Sequence, residues 1–131
     1  IYTSCRAVGQ DGDAVITATP IYGHFYLGPQ HSNREVQKIP MKVDESGIHT
    51  LDFDGIRAAI TPKTKMFILC NPHNPNGRVY TKTELEELAQ ICIENNIVIC
   101  SDEIHCDLIL DETKKHISIG TISQEIENQS I

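Results

Sequence analysis

Nowhere in this 131-residue sequence does an apolar run approach the roughly 20 residues that a membrane-spanning helix needs. The opening Ile-Tyr-Thr-Ser-Cys has no basic n-region, so no secretory signal is read there. It has no initiator Met either, and the expectation is that the true N-terminus lies elsewhere. Positive charge is short: 11 Lys and Arg stand against 18 Asp and Glu, a net −7. That balance, with no basic stretch interleaved with aromatics, argues against nucleic-acid backbones and anionic membrane surfaces and reads as solubility. C-x-x-C spacing is absent and the cysteine count is odd, with Cys5, Cys70, Cys92, Cys100 and Cys106. Cys70, Cys92 and Cys100 sit inside apolar runs, where a free thiol behaves as a small hydrophobe, a pattern that suits a reducing cytoplasmic setting better than a disulfide framework or structural zinc. No G-x-G-x-x-G follows a strand, no Walker loop occurs and no G-x-S-x-G elbow occurs. Dinucleotide, NTPase and α/β-hydrolase readings fall with them.

What is present has globular proportions, with 40% apolar and 22% charged residues, which excludes a disordered chain. Ile1 to Val8 reads as the tail of a helix stopped at Gly9. Ala14 to Ala18 is a short apolar, β-branched run bounded by Pro20 and reads as a buried strand. Tyr22 to Asn33 is ambiguous, with a short helix set against Gly23, Gly28 and Pro29. Glu35 to Pro40 reads as a shorter strand. Asp52 is placed to cap a helix in which Phe53, Ile56 and Ile60 recur at helical spacing, ending before Pro62. Met66 to Cys70 is a fully apolar strand. Thr81-x-x-Glu84 is a capping box, and it opens a helix with Leu85, Leu88, Ala89 and Cys92 on one face. Ile97 to Cys100 is another buried strand, and after Asp111 the pattern fades into a polar loop with room for a short helix. Apolar strands alternating with helices specify an α/β, three-layer sandwich around a largely parallel sheet. No repeat, low-complexity tract or linker divides the chain, so residues 1–131 read as one piece of one domain.

Ligands of open α/β sheets bind beyond the carboxyl ends of the strands. Three segments fall there: TPIYGHFY (19–26), CNPHNPNGR (70–78) and SDEIHCDL (101–108). Asp102 directly follows an apolar strand, so its carboxylate is expected half-buried and in need of a partner. A protonated ring nitrogen of a cofactor meets that need, and for pyridoxal 5′-phosphate (PLP) a carboxylate there keeps the ring an electron sink. A capping role or an arginine partner meets it equally well. Asp102, Glu103, His105 and Asp107 also suggest a metal set, but strand alternation would scatter them over two faces. In the second segment two prolines fix the backbone around Asn74, whose amide could then face a ring hydroxyl. As a bland connection, the same loop simply joins strand to helix. Tyr22 reads either as a ring stacked on a flat cofactor or, more commonly, as half-buried core. Cys106 beside His105 or His73 reads as a packed thiol rather than a nucleophile.

Together the three segments resemble the class I/II aminotransferase superfamily, the fold-type I PLP enzymes, through nearly the whole chain and in the right order. The carrying combination is NP-x-NP-x-G followed, one helix and one strand later, by S-D-E-I. The resemblance implies that Asp102 pairs with the pyridine nitrogen, that Asn74 bonds the ring 3-oxygen and that Tyr22, with Tyr26 close enough to compete, stacks on the ring. It puts His105 where most members carry a tyrosine touching the same oxygen. His73, Arg78 and His105 match the MalY/PatB branch of cystathionine β-lyases (C–S lyases). Those enzymes take a cysteine thioether, remove the α-proton and expel the thiol, leaving pyruvate and ammonia. A class I/II amino-acid aminotransferase is the second implied activity, and a non-catalytic module reusing the fold is the third. Asn76 departs from the usual Thr in a turn. By the same resemblance, residues 1–131 are part of the large PLP-binding domain. The small domain, the N-terminal arm, the Gly-rich phosphate turn, the substrate-carboxylate arginine and the Schiff-base lysine that follows a serine are all missing. None of the seven lysines (Lys38, Lys42, Lys63, Lys65, Lys82, Lys114, Lys115) follows a serine. Gln129-Ser130-Ile131 resembles the start of the strand leading to that lysine. A cytoplasmic homodimer that builds its sites at the interface, with no membrane or nucleic-acid partner, is the implied assembly.

Overall fold

The computed structural model describes residues 1–131. Four parallel strands form the central sheet: β1 (Ala14–Thr19), β2 (Glu35–Pro40), β5 (Thr64–Cys70) and β6 (Val98–Asp102), in the spatial order β2-β1-β5-β6. Between β2 and β5 lie two minimal strands, β3 (Lys42–Val43) and β4 (His49–Thr50), paired antiparallel. The helices are α1 (Tyr2–Ala7), α2 (His24–Gln30), α3 (Phe53–Ala59), α4 (Lys82–Glu94) and α5 (Gln124–Asn128), the last preceded by a 3-10 turn at Ile119–Thr121.

Strand alternation divides the core into two layers. Ile16, Ala18, Phe67, Leu69 and Ile99 turn to one face and join Ile56 of α3, Leu85 and Leu88 of α4 and Ile126 of α5. Val15, Met66, Ile68, Cys70 and Cys100 turn to the other and meet Cys5 of α1 and Phe25 of α2. Covering both faces is what makes the strands continuous apolar runs. The result is the three-layer α/β architecture expected.

Local chemistry explains most boundaries. Gly9 takes φ +73° just beyond α1, where a Cβ would stand 2.7 Å from Asp13 Oδ2, so only glycine ends that helix. Asp52 caps α3 by accepting from the Gly55 N–H at 3.1 Å. Both bonds of the Thr81–Glu84 capping box open α4. The ambiguous segment after Tyr22 is helical, and Gly28 lets α2 approach α1, since a Cβ there would lie 2.8 Å from Ile1 Cγ2.

Two details differ from the sequence reading. Strand β6 runs on through Ser101 to Asp102, because Leu69 and Cys70 of β5 supply register partners for these polar residues. The β3–β4 ribbon is unexpected. At the far end, Ser130 forms a parallel bridge with Ile99, and Ile99 N–H and Ser101 N–H donate to the Gln129 and Ile131 carbonyls. The last three residues thus lie alongside β6 as a single bridge, and the sheet itself has four strands.

Candidate functional site

Sheet order reverses between β1 and β5: the chain leaves β1 toward β2 on one side and later enters β5 on the other. That is the switch point at which open α/β sheets form a crevice. The loops leaving β1, β5 and β6 there contain Tyr22, Asn74 and His105, with Asp102 as the last residue of β6.

These loops touch. Tyr22 N–H donates to the Asn74 carbonyl at 3.2 Å, and Asn71 N–H donates to the Asp102 carbonyl at 3.0 Å. Asp102 stands beside Cys70 across the β5–β6 register. Its Oδ1 accepts from Ile104 N–H at 3.1 Å, which turns the chain after the strand and leaves Oδ2 without a partner within the protein. Asn74 anchors through its backbone, donating N–H to Cys70 Sγ at 3.4 Å. Its side-chain amide makes no hydrogen bond in the chain, and neither does the His105 ring. Asn74 and His105 line one cleft of about 480 Å³ whose walls also include Pro72, Leu108, Ile109 and Lys114. Asp102 and Tyr22 are not among its walls. Tyr22 is 52% exposed, not the half-buried core residue that such a tyrosine commonly is. Its ring tilts against His24 at 5.1 Å.

Charged residues stiffen the rim. Arg78 forms a two-pronged pair with Glu84 at 2.9 and 2.8 Å and donates to the His49 carbonyl, tying the β5 loop to the head of α4 and to β4. Burial pushes the Glu84 carboxyl up, but bonds from Thr81 and Arg78 outweigh it and the pKa is lowered. Glu103, next to Asp102, is likewise pushed up by burial. Donors from His116 at 2.9 Å, Ile119 N–H at 3.1 Å and Ser101 Oγ at 2.9 Å outweigh this and bring it below its ordinary value. Glu103 thereby pins the 111–119 segment against the strand end. Asn76 sets its amide 3.2 Å from Met41 Sδ. Sequence reasoning missed the roles of Glu103, Lys114 and His73. Glu103 had a signal, an acidic residue beside Asp102 at a strand end, whereas His73 reaches Pro20 in a distant segment and Lys114 is paired locally with Asp111.

No group of three or more His, Cys, Asp or Glu side chains is arranged to hold a metal ion. All five cysteines are free, and Cys70, Cys92 and Cys100 are buried as packed thiols, with burial raising the Cys92 pKa to about 12. No helix is long and apolar enough to cross a membrane.

A parallel α/β sheet with a free carboxylate oxygen, an amide and an imidazole around its switch point has the arrangement in which open α/β sheets form ligand crevices. Comparison with known proteins makes the class specific. The family model for aminotransferase class I and II matches residues 1–129, and the chain belongs to that family. It is 32% identical over 127 residues to cystathionine beta-lyase PatB of Bacillus subtilis, covering 96% of this chain and 32% of PatB. It is 34% identical over 133 residues to the aspartate aminotransferase of Bacillus sp. strain YM-2, covering 100% of this chain and 33% of that enzyme. Cystalysin from Treponema denticola, a structure that contains a pyridoxal 5′-phosphate cofactor, superposes with a TM-score of 0.93 at 28% identity, over 98% of this chain and 32% of that one. The chain therefore spans about a third of the length of these relatives.

Proposed function

We propose that this chain is the cofactor-holding part of a PLP-dependent enzyme of amino-acid metabolism, a C–S lyase acting on cysteine thioethers. The observation that carries the cofactor reading is the donor set at the switch point. Asp102 keeps a free carboxylate oxygen, while the Asn74 amide and the His105 ring have no partner within the chain. This set fits the pyridoxal ring: a carboxylate for a protonated ring nitrogen, and N–H donors for a ring oxygen. When bound, PLP supplies an electron sink that stabilises charge at the substrate α-carbon. The chain's part is to hold the nitrogen protonated with Asp102, to orient the 3-oxygen with Asn74 and His105, and to cover a ring face with Tyr22.

The lyase reading rests on His73, Arg78 and His105, which match the C–S lyase motif residue by residue, and it is supported by the similarity to PatB. Aminotransferase activity is the second reading, favoured by the similarity to the aspartate aminotransferase, since the ring-holding residues serve either reaction. A cytoplasmic homodimer is proposed for the whole enzyme, and residues 1–131 are its partial large domain. Expression of the complete reading frame and assay with cystathionine separates the activities. Pyruvate release without need of a keto-acid acceptor supports the lyase, and amino transfer to an added keto acid without pyruvate release overturns it.

A further inference from the structure

One side chain at the switch point contacts both loops and is not used by the ring-holding set. His73 is 2% exposed, with Nε2 2.8 Å from the Pro20 carbonyl oxygen and Nδ1 2.9 Å from the Tyr80 hydroxyl. A carbonyl oxygen only accepts, so Nε2 carries the proton. Burial lowers the imidazole pKa below its ordinary 6.5 and raises that of the Tyr80 phenol, so both rings stay uncharged near neutral pH. Tyr80 O–H then donates to Nδ1, and this bond selects the tautomer that reaches Pro20. Tyr80 is itself fixed: it is 1% exposed, its N–H donates to Asn71 Oδ1, and the Arg78 guanidinium lies 5.4 Å from its ring centre.

The contact sits beside the residues that matter. Tyr22 is two positions beyond Pro20 and Asn74 one beyond His73, and the two are joined by the Tyr22 N–H to Asn74 carbonyl bond. The backbone bonds of His73, from its own N–H to Arg78 O and from Gly77 N–H to its carbonyl, hold the β5 loop to itself and do not reach the β1 loop. Resting on the cofactor reading above, we propose that His73 is a positioning residue: its Nε2–H, oriented by the Tyr80 hydroxyl, clamps the β1 loop to the β5 loop and sets Tyr22 and Asn74 in register for the ring.

The test uses three variants of the 131-residue chain and two readouts. His73→Leu removes the donor, Tyr80→Phe removes the hydroxyl that orients it, and His73→Gln keeps a side-chain N–H able to reach Pro20. Imidazole nitrogen NMR is expected to show the His73 proton on Nε2. Amide hydrogen exchange at Tyr22 is expected to quicken about fivefold or more in His73→Leu and Tyr80→Phe, the factor carried by one net hydrogen bond, and to stay near wild type in His73→Gln. Amides within β1 and β5 should keep their protection, which separates positioning from a general loss of stability. Pyridoxine 5′-phosphate, which has the ring nitrogen and 3-oxygen but no aldehyde to react with lysines, should bind the first two variants more weakly by a similar factor. A proton on Nδ1 overturns the proposal, and so does unchanged Tyr22 exchange in folded variants. If His73→Leu does not fold, the tautomer and Tyr80→Phe decide. If the wild-type chain binds no pyridoxine phosphate, the cofactor reading fails, while exchange and tautomer still decide the clamp.

Discussion

Asp102 reaches its place because β6 runs two residues beyond the apolar run, carrying a carboxylate to the strand end with one oxygen tied to the following turn. Asp102→Asn keeps the oxygen that accepts from Ile104 and removes the charge. It is expected to weaken pyridoxine phosphate binding by about tenfold or more, the range of a hydrogen bond to a charged group, with the urea midpoint nearly unchanged. The pH dependence of stability draws on two other residues besides Glu84, whose carboxyl pKa is also lowered. His73 is buried uncharged with its pKa lowered from 6.5, so the unfolded chain takes up a proton there before the folded one does. Its contribution is complete above pH 6.5 and is lost as pH falls toward the folded value. Glu103, lowered from 4.5, adds a second loss that begins below that pH. Urea unfolding measured from pH 8 to 3 should show stability falling in both windows. His73→Gln should flatten the upper one and Glu103→Gln the lower. Asp102 and Asn74 were legible as candidates because an acid after an apolar strand and an asparagine between prolines are unusual locally. Tyr22 was not legible as an exposed residue. Its exposure follows from α2 starting at His24 and turning Phe25, not Tyr22, into the core.

Among the elements, α4 and β2 agree with their sequence signals because each signal is local. A capping box starts α4, and Leu85 and Leu88 are wholly buried on its inner face. The β3–β4 ribbon carries no such signal, since two-residue strands made of Lys42, Val43, His49 and Thr50 have no period to read. The end of β6 was also hidden, because pairing with β5 overrides the weak strand preference of Ser101 and Asp102. In α4, Thr81→Ala is expected to cost about 1 kcal/mol as a lost cap. Glu84→Ala should cost more, roughly 2 kcal/mol or above, because it also strands the half-buried Arg78. Leu88→Ala should cost about 2–5 kcal/mol through the cavity it leaves. Urea midpoints rank the three, and Glu84→Ala falling below Thr81→Ala in cost would remove Arg78–Glu84 from the account of the rim.

On the scale of the whole molecule, the sheet order makes one switch point, and the three loops that the sequence singles out converge on it. Strand order was beyond reach of the sequence, since nothing local says that β5 returns beside β1 rather than beside β2. The chain contains the groups proposed to hold the ring but no lysine following a serine, and the one lysine in the cleft, Lys114, lies 3.7 Å from Asp111 as an ion pair. The purified 131-residue chain is therefore expected to release no pyruvate from cystathionine, and measurable turnover would place a catalytic amine within it. Asp102, Asn74, Tyr22 and His105 are the residues proposed to hold the pyridoxal ring. The most direct test of this is a pyridoxine 5′-phosphate titration of the isotope-labelled chain followed by NMR. Saturable shifts are expected, centred on the amides of Tyr22, Asn74, Asp102 and His105 and on the Asn74 side chain, and weakened in Asp102→Asn. Shifts confined to other surfaces, or binding indifferent to Asp102, would contradict it.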